Sequence, residues 1–306
     1  MNVTANQTET ERIQLVGEAG SGSPRGREGW RAASRHLALT APAFLLITLF
    51  FIFPIIVVIV VSVTDPEFGF QNYAWVFTSP LALNSALTTF VISLSVTLIC
   101  LVLAYPYAYL MTIVSDRTRG IMTMLVMVPL WTSILVRTLA WVVLLQDSGP
   151  INAFFETVGI GHVQLIRTPL GVAIGMAQVL MPFMVMPLYS SLSRIEPRLV
   201  PAAQSLGAKP VVAFFRVFLP LSKSGIFSGS ITVFILALGF YIIPSLLGSP
   251  KDPMFPSLIQ LQVSGFLQWG RGTALGVCLL AAALLALFLV TKLTKSGFTI
   301  PGAQNR

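Results

Sequence analysis

Charge is what this sequence has least of. Only 10% of its 306 residues are Asp, Glu, Lys or Arg, against about a quarter in an ordinary soluble domain. So few charges cannot cover a surface that faces water. With 55% hydrophobic residues and a mean hydropathy of +0.83, the expected solvent is lipid. Acids are scarcest: there are 11, and none lies inside a long apolar run, Asp65 and Asp147 standing at run ends. That argues against a proton- or sodium-coupled transporter built on intramembrane carboxylates, although carbonyl oxygens alone can hold sodium. If the chain moves a solute uphill, its energy comes from another chain. Cysteine and histidine are nearly missing too. Cys100 and Cys278 sit within apolar runs as small buried hydrophobes, not as a disulfide or thiolate site. His36 and His162 are too far apart in sequence for a zinc cluster. There is no GxxxxGKS/T phosphate loop, no nucleophile elbow and no HExxH, so neither catalysis nor a bound cofactor or metal is expected of this chain.

What is present is a set of six apolar runs, each able to span a bilayer at about 20 residues per crossing. They are Leu37–Val63, Ser85–Val114, Ile121–Leu145, Pro169–Leu192, Gly225–Leu247 and Gly272–Leu293. The expected fold class is an all-α membrane protein with six transmembrane helices. Pro54, Pro106, Pro129, Pro182, Pro187 and Pro244 fall within the runs and predict kinks, which bundles tolerate because neighbours re-satisfy the freed carbonyls. Residues 1–36 are polar and without apolar period, which predicts a mostly disordered tail. The polar lead is too long for a signal peptide, and no cleavage site follows a short apolar core. Residues 37–296 then form the spanning domain, with a loop at 194–224, and residues 297–306 form a second tail.

The net charge of +8 sits beside the spans. Arg12, Arg25, Arg27, Arg31 and Arg35 precede the first; Arg117 and Arg119 follow the second; Arg194, Arg198, Lys209, Arg216 and Lys223 lie in and beside the 194–224 loop; Lys292, Lys295 and Arg306 end the chain. The alternate loops hold only Arg167, Lys251 and Arg271. This is the positive-inside pattern, not a nucleic-acid footprint. It places both termini and the loop in the cytoplasm and makes lipid, rather than nucleic acid, the surrounding partner. The three outer segments are rich in aromatics and glycine, and read either as interfacial belts or as a docking face for an external partner.

Arg137 is the one charge well inside a span, roughly eight residues or about 12 Å below its outer end. It either snorkels or bonds loop carbonyls, or it lines a solute path, where it would repel a polycation. Trp131, Trp141, Tyr189 and Tyr241, with Tyr105, Tyr107 and Tyr109, could offer π faces to an amine or be plain packing.

The stretch from Leu199 to Gly225 is too polar to span and too patterned for a slack linker. Pro197 and Pro201 suit a first helical turn. Leu199, Ala202, Ala203 and Leu206 recur at helical spacing, and Gly207 is placed to end that helix in a left-handed conformation. Pro210 then opens a second helix, with Val211, Phe214, Phe215 and Phe218 as its apolar face and Pro220 as its end. Two short helices joined at a glycine make a rigid knob, held by the second and presenting the first. An ordinary connecting loop with an interfacial helix is the plainer reading.

The run "AAQSLGAKPVVAFFRVFLP" is similar to the cytoplasmic loop of ABC-importer permease subunits. Ala202, Ala203, Gly207, Leu219 and Pro220 match the family spacing, Val217 replaces an Ile, and the family's Glu falls on Pro201, with Glu196 no obvious substitute. "VPLWTSILVRTLAWVVLLQDSGPIN", "FQNYAWVF" and "LLGSPKDPMFPSLI" resemble the spermidine/putrescine-type members. The resemblance implies a type I ABC importer permease fold in the bacterial inner membrane, with a coupling helix between spans four and five. Its coupling residues would be Pro201, Ala202, Ala203, Ser205, Leu206, Gly207, Ala208, Leu219 and Pro220. It also implies two ATPase subunits binding ATP–Mg, a periplasmic solute-binding protein, and a second homologous permease, a different chain being favoured over another copy. Transport would be alternating access of a polyamine. The alternatives are a self-contained secondary transporter or channel, and a structural assembly factor that carries no solute.

Overall fold

The computed structural model describes residue 42 and residues 44–296. The expected tails at 1–36 and 297–306 lie outside the described residues. Two compact units divide the chain, one ending at Val57 and the other beginning at Val58, and all regular structure among the described residues is helical.

The first unit carries most of an apolar helix, α1 (Phe44–Thr64). A wide π turn at Thr48–Ile52, in which the Phe53 N–H reaches Thr48 O, comes immediately before Pro54. A proline ring in a regular helix collides with the carbonyl four residues back, and a wider turn ahead of the ring gives that carbonyl room. The same device precedes Pro220, at Phe214–Phe218.

In the second unit, α2 (Gln71–Thr78), α3 (Pro80–Ile113) and α4 (Asp116–Trp131) follow. Then come α5 (Ile134–Leu145), α6 (Pro150–Val158) and α7 (Pro169–Leu192). The 194–224 loop holds α8 (Leu199–Ser205) and α9 (Pro210–Leu221). The described residues end with α10 (Lys223–Leu238), α11 (Ile242–Leu247), α12 (Phe255–Gln260) and α13 (Trp269–Ser296).

Helices α3, α7 and α10 pack together at the centre. The buried stripe of α3 is small and weakly polar: Ser85, Thr89, Ser93, Thr97, Cys100, Ala104 and Ala108. Ile92, Val96 and Met111 are buried beside them, but Leu87, Phe90, Leu98, Val102 and Leu103 are exposed. Lipid tails are as apolar as leucine, so nothing drives those side chains inward, and helices associate through small residues that allow close approach. On α7 the packing side chains are larger, with Met176, Leu180, Met184, Leu188 and Leu192 buried at every fourth position. They meet glycines of α10: a Cβ on Gly229 would stand 2.7 Å from Met184 Sδ, and one on Gly225 2.6 Å from Ser191 Cβ.

Five helical stretches among the described residues are long and apolar enough to cross a membrane: α1, α3, Ile134–Val158, α7 and Trp269–Leu289. A sixth exists if α9 and α10, bent by 61°, count as one. Two of the six expected spans are therefore not single helices. The run 121–145 is broken at Thr132, which is extended, and Ser133, whose ψ of 129° is also non-helical. There the Thr132 hydroxyl donates to Pro129 O at 2.9 Å, and Ser133 O receives the Arg137 N–H at 3.2 Å. The Thr132 hydroxyl thus offers the backbone an alternative to the helix, and the Ser133 carbonyl opens the next one. The run 225–247 is interrupted between Leu238 and Ile242. Pro106, Pro182 and Pro187, by contrast, lie inside uninterrupted helices.

Candidate functional site

The knob of the 194–224 loop takes its shape from local chemistry. The Ala202 N–H bonds Arg198 O at 2.9 Å to start α8, with Pro201 in the first turn, where its missing N–H costs nothing. The helix ends in a Schellman turn: Ala208 N–H reaches Ala203 O at 3.1 Å, and Gly207 N–H reaches Gln204 O at 2.9 Å. Gly207 has φ +92°, as that turn requires. Beside it Leu206 is 90% exposed, with Ala202, Ser205 and Gly207 also exposed and Ala203 and Ala208 half-buried. Small and apolar residues thus face outward without cover from the described residues.

Helix α9 opens at Pro210 as its pattern predicts, but two expectations fail. Pro220 does not end it; the helix runs to Leu221 and the break falls at Ser222. The preceding π turn accommodates the proline. The inward face keeps Phe214 and Phe218 of the expected four but not Val211 or Phe215, which are 66% and 58% exposed. Ala213 and Phe218 are buried and Phe214 is half-buried, because the π turn rotates the face it interrupts.

That face meets α3. The Phe214 ring packs edge-on against Tyr105 at 6.1 Å and Tyr109 at 5.8 Å between centroids, and Phe218 packs edge-on against Tyr109 at 5.1 Å. The Tyr105 hydroxyl lies 3.0 Å from Ser222 Oγ, at the bend. Tyr105 and Tyr109 are therefore committed to this aromatic clasp and are not free faces for an amine, and Tyr107 donates its hydroxyl to Met122 O at 2.8 Å. Nothing local in the sequence marks the clasp beyond two aromatic pairs at i, i+4, one on each helix.

Two clefts flank the knob. One of about 430 Å³ brings Tyr189 together with Tyr109, Arg119, Glu196, Pro201 and Phe218. A second of about 490 Å³ lies between Ser191 and Arg194 on one side and Leu221 and Ser224 on the other. Arg119 also staples the neighbouring turn, donating from Nε to Met111 O at 2.9 Å and from Nη1 to Asp116 Oδ1 at 2.7 Å.

The other path candidates are scattered. Trp131 is 79% exposed at the end of α4. Trp141 donates to Gln178 Oε1 at 3.1 Å, tying α5 to α7. Arg137 donates from Nη2 to Thr132 O at 3.3 Å across the α4–α5 break, while its Nε and Nη1 are buried without partners among the described residues. Tyr241 is exposed at the α10–α11 break. Among the described residues no hydrogen bond or ring contact joins Trp131, Arg137, Tyr189 and Tyr241 to one another.

Residues 101–296 match the family described as binding-protein-dependent transport system inner membrane component. The chain belongs to that family and is an ABC importer permease subunit. The permease is 33% identical over 214 residues to the spermidine/putrescine transport system permease protein PotB of Escherichia coli strain K12, covering 69% of this chain and 78% of that one. It is 32% identical over 227 residues to the protein of the same name from Haemophilus influenzae, covering 74% and 79%. To the sulfate transport system permease protein CysT of Synechocystis it is 27% identical over 271 residues, covering 88% and 91%. A bacterial alginate ABC transporter, solved in complex with an alginate pentasaccharide-bound periplasmic protein, matches with a TM-score of 0.73. The match covers 90% of this chain and 99% of that one at 18% identity. The fold is that of a type I ABC importer permease, the chain is a multi-pass inner-membrane protein, and its role is in transport.

Proposed function

We propose that this permease passes a polyamine such as spermidine or putrescine from a periplasmic binding protein to the cytoplasm by alternating access. ATP–Mg is bound and hydrolysed on two separate ATPase subunits, beside a second, homologous and different permease chain. Both termini and the knob face the cytoplasm, in keeping with the Lys/Arg distribution. Pro201, Ala202, Ala203, Ser205, Leu206, Gly207 and Ala208 form the surface that docks in the ATPase, with Leu219 and Pro220 in the supporting helix. The observation that carries this reading is the exposed apolar apex at Leu206, set beside a Schellman turn whose geometry fixes its direction. Similarity to the two PotB proteins supports the cargo class. With no acid within an expected span, this chain offers a polycation little, so selectivity rests on the binding protein. Arg137, Trp141, Tyr189 and Tyr241 are candidate contacts along the path, with Trp131 at its edge.

The test is reconstitution of the permease with its three kinds of partner in proteoliposomes. Uptake of spermidine or putrescine is expected only with ATP inside and loaded binding protein outside. Uptake that persists without any ATPase subunit would instead support a self-contained transporter or channel. ATP-driven uptake of sulfate but no amine would overturn the cargo class alone.

A further inference from the structure

We propose that the Tyr105–Ser222 hydrogen bond is a latch that passes movement of the α8–α9 knob into the spanning helix α3. The proposal rests on the reading of α8 as the coupling element. The need for a latch follows from the bend. Helices α9 and α10 meet at 61° across the single residue Ser222, so a push on α8 can be absorbed by flexing there and never reach the bundle. Something must hold the bend in register with a spanning helix.

Ser222 is fully buried. Its Oγ donates to Leu219 O at 2.8 Å, within the last turn of α9. A serine hydroxyl has one proton to give, so the 3.0 Å contact with Tyr105 must run from the tyrosine hydroxyl to Ser222 Oγ. The two bonds form a chain, Tyr105 to Ser222 to the carbonyl of Leu219, that ties α3 to the residue at the bend. The rings of Tyr105, Tyr109, Phe214 and Phe218 press the helices together around it. Ring contacts are adhesive but tolerate sliding; a directional bond to the buried Ser222 hydroxyl does not. On the far side of the bend, Ser224 Oγ lies 2.8 Å from Ser191 Oγ, so α10 is tied to α7 within two residues of Ser222. A displaced knob therefore carries α3 with it while the start of α10 stays against α7.

Tyr105→Phe keeps the ring and removes the hydroxyl. In the complete reconstituted transporter, solute uptake and ATP hydrolysis are measured in the same vesicles. Uptake per ATP hydrolysed is expected to fall about fivefold, the factor that one net hydrogen bond represents, with ATP hydrolysis retained. Ser222→Ala should give the same loss, and the double variant no more than either single one. Tyr73→Phe is the control, because it removes a Tyr–Ser contact of the same kind, 2.7 Å to Ser62 Oγ, away from the knob; its ratio should equal that of the unaltered protein. An unaltered ratio in Tyr105→Phe, or an equal loss in Tyr73→Phe, overturns the latch alone. If hydrolysis by the unaltered assembly ignores loaded binding protein, the coupling reading falls and the latch with it.

Discussion

Asp65 Oδ2 accepts the backbone N–H of Gly270 at 2.6 Å, joining the end of α1 to the start of α13 across 205 positions of sequence. The Asn72 amide donates to Asp65 O at 2.7 Å and to Ser62 O at 3.0 Å, so three segments close on one point. A Cβ on Gly270 would run into the Asp65 carbonyl and the Asn72 amide. Gly270→Ala is therefore expected to cost about 1–3 kcal/mol by overpacking. Asp65→Asn, which keeps an acceptor and loses the charge, should cost about 1 kcal/mol. Thermal unfolding of the solubilised permease checks the order; an Asp65→Asn protein less stable than Gly270→Ala would refute it.

Gly207 is constrained by its backbone and not by crowding: φ is +92°, and a Cβ there would meet nothing within 4 Å among the described residues. Strain of about 1–2 kcal/mol for an ordinary residue follows, less for Asn, which tolerates the left-handed region. Gly207→Val should lose ATPase co-purification and uptake while still inserting in the membrane, and Gly207→Asn should retain most of both. Equal behaviour of the two variants would show that the turn is not what matters.

Gly225 and Gly229 both admit α7 closely, but against different atoms. At Gly229 the first obstacle is the flexible end of Met184, whereas at Gly225 it is Ser191 Cβ with Leu188 Cα at 3.3 Å. Gly229→Ala is expected to cost under about 1 kcal/mol and Gly225→Val about 1–3 kcal/mol. Comparing melting temperatures tests this, and the reverse order would contradict the packing.

Arg137 has two buried nitrogens without acceptors among the described residues, and unpaired buried donors carry a desolvation penalty. Replacing it with a similarly long apolar side chain removes that penalty. Arg137→Met is expected to unfold at the same temperature as the unaltered protein or higher. A clear drop would mean that its bond to Thr132 O holds the α4–α5 break together.

The knob was legible because its determinants are local. Pro201 in a first turn, Gly207 at a left-handed cap and Pro210 at the start of the next helix each act on their own backbone. The π turn ahead of Pro220 was not legible: periodicity assumes a regular helix, and one extra residue in a turn moved Val211 and Phe215 to the exposed side. The division of two apolar runs, at Thr132–Ser133 and at Gly239–Tyr241, also escaped, since hydropathy reports solubility in lipid and not continuity of a helix. Tyr105 and Tyr109 looked like open aromatic faces because their partners, Phe214 and Phe218, lie over 100 residues away.

By itself the sequence determined the solvent, the set of lipid-soluble segments and the turn chemistry of the basic loop. Hydropathy and backbone conformation are properties of a residue and its neighbours. Only the tertiary structure decided where α9 and α10 bend apart, which rings hold α9, and that Tyr189 shares a cleft with Pro201 while Arg137 does not. Those relations arise from packing between helices that the chain order leaves far apart, and in a bundle without hydrophobic drive such packing is set by shape and by a few directional bonds.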